Sequence, residues 1–134
     1  MPSFLSPLLR DSSQSYRLVN ERTGSVVAHE LVGAFDSKTR RTGLLAHKTF
    51  PRGSAMIIAP TNAIHTFFMK FAIDVLFVAK DGEILKTCTA LPPWRIAAAW
   101  RAFGVIELPT GSIAWSGLAR GDRVALVVGR DQAT

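Results

Sequence analysis

The stretch that decides the fold runs from Ile64 to Lys80 and reads IHTFFMKFAIDVLFVAK. Alternate positions from Phe67 to Ala79 are all apolar, whereas the positions between them mix apolar and charged side chains. Period-two alternation of this kind is typical of a β-strand with one buried face. Because the stretch is longer than most single strands, we expect a break or bulge near Ala72.

The rest of the chain predicts further short strands and few helices. Asp81-Gly82 predicts a two-residue hairpin turn, because Gly accepts positive φ without steric cost, and Ile84 to Ala90 would be the returning strand. Apolar runs predict other strands at 16–20, 25–35, 55–59, 105–108 and 123–128. Two short helices are predicted, at 38–45 after an Asp36-Ser37 cap and at 113–116 after a Ser112 cap. For residues 96–102 a helical turn and an irregular loop both remain open.

Many short strands with two short helices predict a mainly β fold, a small antiparallel β-sandwich or barrel-like single domain. A chain of 134 residues fits one hydrophobic core. We expect a mobile leader at 1–15, the β-rich domain at 16–129 and a flexible tail at 130–134, because both ends are polar.

Charge and composition exclude several classes of protein. Sixteen Lys and Arg against ten Asp and Glu give a net charge of +6, but these charges are scattered, so nucleic-acid binding is not favoured. No apolar stretch is long enough to span a membrane, and the N-terminal segment lacks the pattern of an export signal, so a soluble, cytoplasmic protein is expected. One cysteine, Cys88, and three scattered histidines predict neither a disulfide nor a metal site, and no cofactor motif is present.

Seven short pieces of the chain, taken in order, carry a resemblance to a known family. They are RTGLL at 41–45, FMK at 68–70, IDV at 73–75, DG at 81–82, LPPWR at 91–95, IELPTG at 106–111 and GDRV at 121–124. Over roughly residues 30–128 the sequence resembles the bacterial and archaeal family known as domain of unknown function 192. The resemblance implies a compact, β-rich single domain. It implies no catalytic residue, because the family has no established activity.

A polar cluster in the deciding stretch could carry acid–base chemistry. His65, Lys70 and Asp74 supply an imidazole, an ammonium and a carboxylate. In a regular strand the Cα atoms of Lys70 and Asp74 would be about 13 Å apart, so a direct pair needs a bend. The structural alternatives are a solvated Lys70 and an Asp74 that accepts backbone N–H groups at the bend.

Two further features are candidates for ligand binding. Trp94 and Arg95 follow Pro92-Pro93, and this rigid corner would present an aromatic face and a cation, unless Trp94 fills the end of the barrel. Arg41 could clamp an anion, although an ion pair with a nearby carboxylate is the more common role of such an arginine.

The sequence therefore favours a small binding domain with a small-molecule or protein partner over an enzyme. The candidate binding residues are His65, Lys70, Asp74, Trp94, Arg95 and Arg41. Two alternatives remain: an enzyme of unknown class that uses His65 and Asp74, and a basic binder of nucleic acid or membrane surfaces.

Overall fold

This computed structural model describes residues 3–11, 14–36 and 49–129. The strands within these ranges form three sheets. The helices in these ranges are α1 (Ser6–Arg10) and α2 (Ser112–Trp115). The strands are β1 (Tyr16–Asn20), β2 (Val26–Ala28), β3 (Glu30–Ala34), β4 (Ser54–Ile58), β5 (Ala63–His65), β6 (Ile73–Val78), β7 (Ile84–Leu91), β8 (Ile96–Ala98), β9 (Gly104–Pro109) and β10 (Val124–Val128).

The central sheet has five strands in the order β3-β4-β9-β6-β7. The three-stranded sheet β10-β1-β2 covers one of its faces, where Leu18 and Val124 pack with Leu76. The two-stranded ribbon β5-β8 covers the other face, where Ala97 and Ile64 join the cluster around Phe77. The fold is thus a layered, mainly β domain, and its sheets do not close into a barrel within the described residues.

Strand β6 is buried at every position, so the prediction of a single buried face was wrong. A strand that is covered on both faces has a nearly continuous apolar sequence. The alternating residues at 67–71 lie in turns that precede the strand. The predicted break near Ala72 is confirmed, because β6 begins at Ile73. The hairpin that connects β6 and β7 at Asp81-Gly82 is confirmed, but its turn is longer than the two residues predicted. The Ala79 N–H donates to the Glu83 carbonyl at 2.9 Å, and Gly82, at φ +89°, donates its N–H to the Ala79 carbonyl at 2.9 Å.

Two elements differ from the sequence predictions. Strands β3 and β4 pair in parallel, whereas only antiparallel pairing was expected. The intervening 35–53 segment is long enough for the crossover that parallel strands need, and the helix predicted at 38–45 lies outside the described residues. The segment left open at 96–102 begins with strand β8, which pairs with β5 and so satisfies its backbone groups.

Residues before the first strand contribute to the core. The Leu5 side chain is 1% exposed and belongs to the cluster that contains Leu18. The Phe4 N–H donates to the Lys80 carbonyl at 2.7 Å. The division into a leader, a domain and a tail stays a prediction, and the burial of Leu5 argues for adding residues 4–10 to the domain.

Asp74 joins three elements through its buried carboxylate, which is 1% exposed. Its Oδ1 accepts the Ala90 N–H at 2.9 Å, and its Oδ2 accepts the N–H groups of Gly111 at 3.1 Å and Ile113 at 2.9 Å. The carboxylate therefore caps α2 from across the sheet. The predicted cap at Ser112 was wrong, because that hydroxyl donates to the Pro109 carbonyl at 2.6 Å.

Removing the Asp74 carboxylate should destabilise the domain strongly. Asp74→Ala leaves three backbone donors without an acceptor, and each buried unpaired group costs about 1–3 kcal/mol, so we expect a loss of at least about 3 kcal/mol. Asp74→Asn keeps one acceptor oxygen and should lose about half as much. Urea unfolding followed by circular dichroism measures both, with the exposed Asp81→Asn as the control. An Asp74→Ala protein as stable as the wild type would contradict this role.

Candidate functional site

Four rings, from the end of β5, the turn that follows it and the 92–95 loop, form one continuous aromatic surface. The His65 ring stacks on Phe67 with centroids 4.9 Å apart, and Phe67 stacks on Trp94 at 5.8 Å. The Phe68 ring is tilted against Trp94 at 4.6 Å. We call these residues, together with Ile96, which is the cross-strand neighbour of His65, the Trp94 surface.

The apolar side chains of the Trp94 surface are open to solvent. Phe68 is 68% exposed, Trp94 56% and Ile96 70%. Single exposed apolar residues are common in soluble proteins, whereas a contiguous exposed apolar patch is a candidate interaction surface. The alternative in which Trp94 fills the end of a barrel is therefore wrong.

A buried threonine fixes the corner that carries Trp94. Thr66 is fully buried, and its N–H donates to the Arg95 carbonyl at 2.8 Å while its own carbonyl accepts the Trp94 N–H at 3.0 Å. The Thr66 hydroxyl donates to the Pro92 carbonyl at 2.7 Å and accepts the Arg95 N–H at 2.9 Å. These hydrogen bonds hold the 92–95 loop against the turn that carries Phe67 and Phe68.

The backbone of this surface is strained. Phe68 and Trp94 both have φ of +67°, a left-handed conformation that costs a bulky residue about 1–2 kcal/mol. Among the described residues, Ala90, at φ +49°, is the third non-glycine residue in this region of φ. Such strain persists where the surrounding structure imposes it, and it is frequent at binding sites.

The rim of the Trp94 surface is positively charged. Lys70 and Arg95 are exposed, and the guanidinium of Arg95 makes two long contacts of 3.4 Å with the carbonyls of Pro93 and Trp94. The two segments that build the surface, 61–72 and 85–103, contain Lys or Arg at four positions and no Asp or Glu. The surface thus combines an apolar centre with uncompensated positive charge.

The structure brings together some of the predicted site residues and separates others. His65, Trp94 and Arg95 lie on one surface, and Lys70 is exposed on the turn that follows Phe68. Arg41 lies outside the described residues.

Asp74 does not belong to this surface. It lies on the face of the central sheet that packs against β10-β1-β2, since its register partner Leu108 belongs to that core cluster. His65 lies in the ribbon over the other face, and its Nδ1 accepts the Phe67 N–H at 3.3 Å. The acid–base pair of His65 and Asp74 is therefore not formed.

Three residues that shape the surface, Thr66, Phe67 and Phe68, were not among the predicted site residues. The sequence pattern that could have located them is a threonine followed by two adjacent phenylalanines, but this stretch was interpreted as part of one strand. Two adjacent large apolar residues point to opposite faces of a strand, whereas in a turn both can lie on one side. Recognising the turn was necessary for placing them on a common surface.

Glu107 is a buried carboxyl that the sequence analysis did not single out. It lies on β9 between Met56 and Val75, on the sheet face opposite to Asp74, and is 3% exposed. Its Oε1 has no hydrogen-bond partner among the described residues. Burial in this apolar environment raises the pKa of Glu107 to about 7.

The raised pKa of Glu107 predicts a stability that falls as the pH rises. Between its ordinary value of 4.5 and about 7, folded Glu107 keeps a proton that the unfolded chain releases, so the unfolding free energy should drop by up to about 3 kcal/mol and then level off. Glu107→Gln should remove this slope. Urea unfolding at several pH values across the window checks the difference, and an equal slope in both proteins would contradict it.

Two kinds of site are absent from the part of the chain that the structure describes. No group of three His, Cys, Asp or Glu side chains there is arranged to hold a metal ion. None of its helices has the length and apolar character required to cross a membrane.

Comparison with known proteins places the chain in a family. Residues 18–126 match the model of the DUF192 family, described as an uncharacterized ACR. The UPF0127 protein PF1050 of Pyrococcus furiosus is 30% identical over 113 residues, which cover 80% of this chain and 95% of that protein.

Two solved structures share the fold. A Sinorhizobium meliloti protein described as a "putative transcription regulator" has a TM-score of 0.72 at 22% identity, over 83% of this chain and 91% of that one. A protein of unknown function from Novosphingobium aromaticivorans has a TM-score of 0.70 at 19% identity, over 82% of both chains. At these identities the likeness establishes the architecture. The family match over most of its length shows that the chain belongs to the DUF192 family, whose function is unknown.

Proposed function

We propose that this chain is a protein-interaction domain whose Trp94 surface binds an acidic, apolar segment of a partner protein. The observation that carries the proposal is the exposed, strained and mutually stacked set of rings with a positively charged rim. Tryptophan and arginine are enriched at the centres of protein interfaces, where a few residues supply most of the binding energy. Trp94 lies among the stacked rings, and Arg95, the next residue in the chain, lies at their rim.

The stacking of the rings favours a protein partner over single-stranded nucleic acid. Nucleotide-binding surfaces offer free ring faces to successive bases. Here Trp94 contacts both Phe67 and Phe68, and Phe67 also contacts His65, so parts of the ring faces are already used within the domain. The aliphatic side chain of Ile96 extends the patch, as in a protein interface.

The charge of the rim favours an acidic segment. Lys70 and Arg95 have no carboxylate partner among the described residues, and the two segments that build the surface contain no acidic residue. Complementary charges speed association and suppress partners of like charge. A basic segment would meet uncompensated repulsion here.

A peptide assay with a matched tryptophan control tests the proposal. The probes are a fluorescent peptide of alternating Glu and Phe, the same peptide with Lys in place of Glu, and oligothymidylate. We expect the acidic peptide to bind, and Trp94→Ala to weaken it by about tenfold or more, the range of an interface hot spot. Trp100→Ala removes an equally large side chain that is 83% exposed but lies outside the Trp94 surface, and it should leave affinity unchanged.

The other outcomes decide against the proposal. Binding of oligothymidylate that is tighter than that of the acidic peptide and is lost in Trp94→Ala would identify a nucleic-acid binder instead. Equal binding of the Glu and Lys peptides would refute the role of the rim. The absence of any binding that depends on Trp94 would refute the surface as the binding site, provided that circular dichroism shows the variant to be folded.

A further inference from the structure

A cleft of about 430 Å³ lies between β2, the turn before β4 and helix α2. Three distant segments of the chain contribute to it, and its lining includes Val26, Val27, His29, Arg52, Trp115 and Ser116. Strand β2 belongs to the three-stranded sheet, so this cleft is separate from the Trp94 surface. Its volume is in the range of small-molecule sites, about 300–1,000 Å³.

An arginine is held at this cleft without a counter-charge. The guanidinium carbon of Arg52 lies 3.9 Å from the ring centroid of Trp115, a cation–π contact that keeps the guanidinium flat on the indole. Within the described residues Arg52 has no carboxylate partner. Because stacking uses the face of the guanidinium, the N–H donors along its edge remain available to a bound anion.

Ser116 adds a hydroxyl that is open to the cleft. The residue is 8% exposed and lines the cleft, and its Oγ makes no hydrogen bond to any residue that the structure describes. The neighbouring Ser112, which lines the same cleft, uses its hydroxyl to donate to the Pro109 carbonyl. A serine hydroxyl both donates and accepts, so the Ser116 hydroxyl is available to a ligand atom in the cleft.

His29 lies against Gly53 at one wall of the cleft. A Cβ at Gly53 would displace the exposed imidazole ring, and it is the φ of +91° that favours glycine at this position. The ring is 57% exposed, and its Nδ1 is 4.0 Å from Glu30, whose own side chain is 76% exposed. At this distance the contact is weak, and the imidazole can still donate a hydrogen bond to an anion.

We propose that this cleft binds a small organic anion, namely a carboxylate or a phosphate monoester with an apolar body. The edge of Arg52 would bind the anionic group through two parallel N–H donors, and the Ser116 hydroxyl would donate a third hydrogen bond. Val26 and Val27 supply the apolar wall against which the body of the ligand packs. This site is independent of the interaction proposed for the Trp94 surface.

Titration with two anions locates the site and identifies the head group. Phenyl phosphate and benzoate are titrated into ¹⁵N-labelled protein at matched ionic strength, with benzyl alcohol as the neutral control. We expect at least one anion to shift the NMR signals of the Arg52 Nε–H, the Trp115 indole N–H and the Ser116 amide, and benzyl alcohol to shift none of them. The anion that binds more tightly identifies the head group. Shifts confined to other basic surfaces, or none, would overturn the proposal.

Variants then test the roles of the individual donors. Arg52→Gln should raise the dissociation constant by about tenfold or more, and Arg52→Lys, which keeps the charge but lacks the planar fork, should have an intermediate effect. Ser116→Ala should raise it by about threefold without lowering the urea midpoint, because the hydroxyl has no partner to lose. Arg101→Gln, at an exposed arginine outside the cleft, is the matched control. Wild-type affinity in Arg52→Gln would refute the site.

Discussion

The carboxylate of Asp74 is the contact on which both candidate surfaces depend. Its bond to the Ala90 N–H fixes the end of β7, just before the corner that carries Trp94. Its bonds to the N–H groups of Gly111 and Ile113 fix the start of α2, the helix that supplies residues to the anion cleft. One buried acceptor in the central sheet therefore positions two surfaces that do not touch each other.

The buried carboxylates of the domain show how hydrogen bonding and burial compete. Asp122 accepts hydrogen bonds from Arg22, Asn20 and the Ala119 N–H, and the bond from Arg22 is the main reason why its pKa is lowered to about 2. Glu107 has no such donor at its Oε1, so burial dominates and raises its pKa to about 7. The two carboxyls also differ in depth, since Glu107 lies in the core between Met56 and Val75, whereas Asp122 pairs with an Arg22 side chain that is 56% exposed.

Features that depend on neighbouring residues could be predicted from the sequence, whereas features that depend on residues distant in the chain could not. The hairpin at Asp81-Gly82 was predicted because a tight turn depends on the identity of a few adjacent residues. The covering of both faces of β6 was not, because it depends on strands that are distant in sequence. The cleft beside Arg52 and Trp115 was missed for the same reason, since the segments that line it come together only through the fold. An exposed corner at Trp94 was one of two alternatives that the sequence left open, and the Thr66 contacts that hold this corner were not predicted.

The backbone at Phe68 and Trp94 is the strongest reason to regard the aromatic surface as a binding site rather than as a by-product of packing. Glycine adopts φ of +67° without strain, so glycine at either position would relieve strain and remove an exposed apolar side chain. A domain that used these turns for folding alone would gain stability from that change. Both rings instead remain largely in solvent, where they bury little surface within the domain. Their burial by a partner would offset the strain, because covering a large aromatic side chain contributes about 1.5–3 kcal/mol.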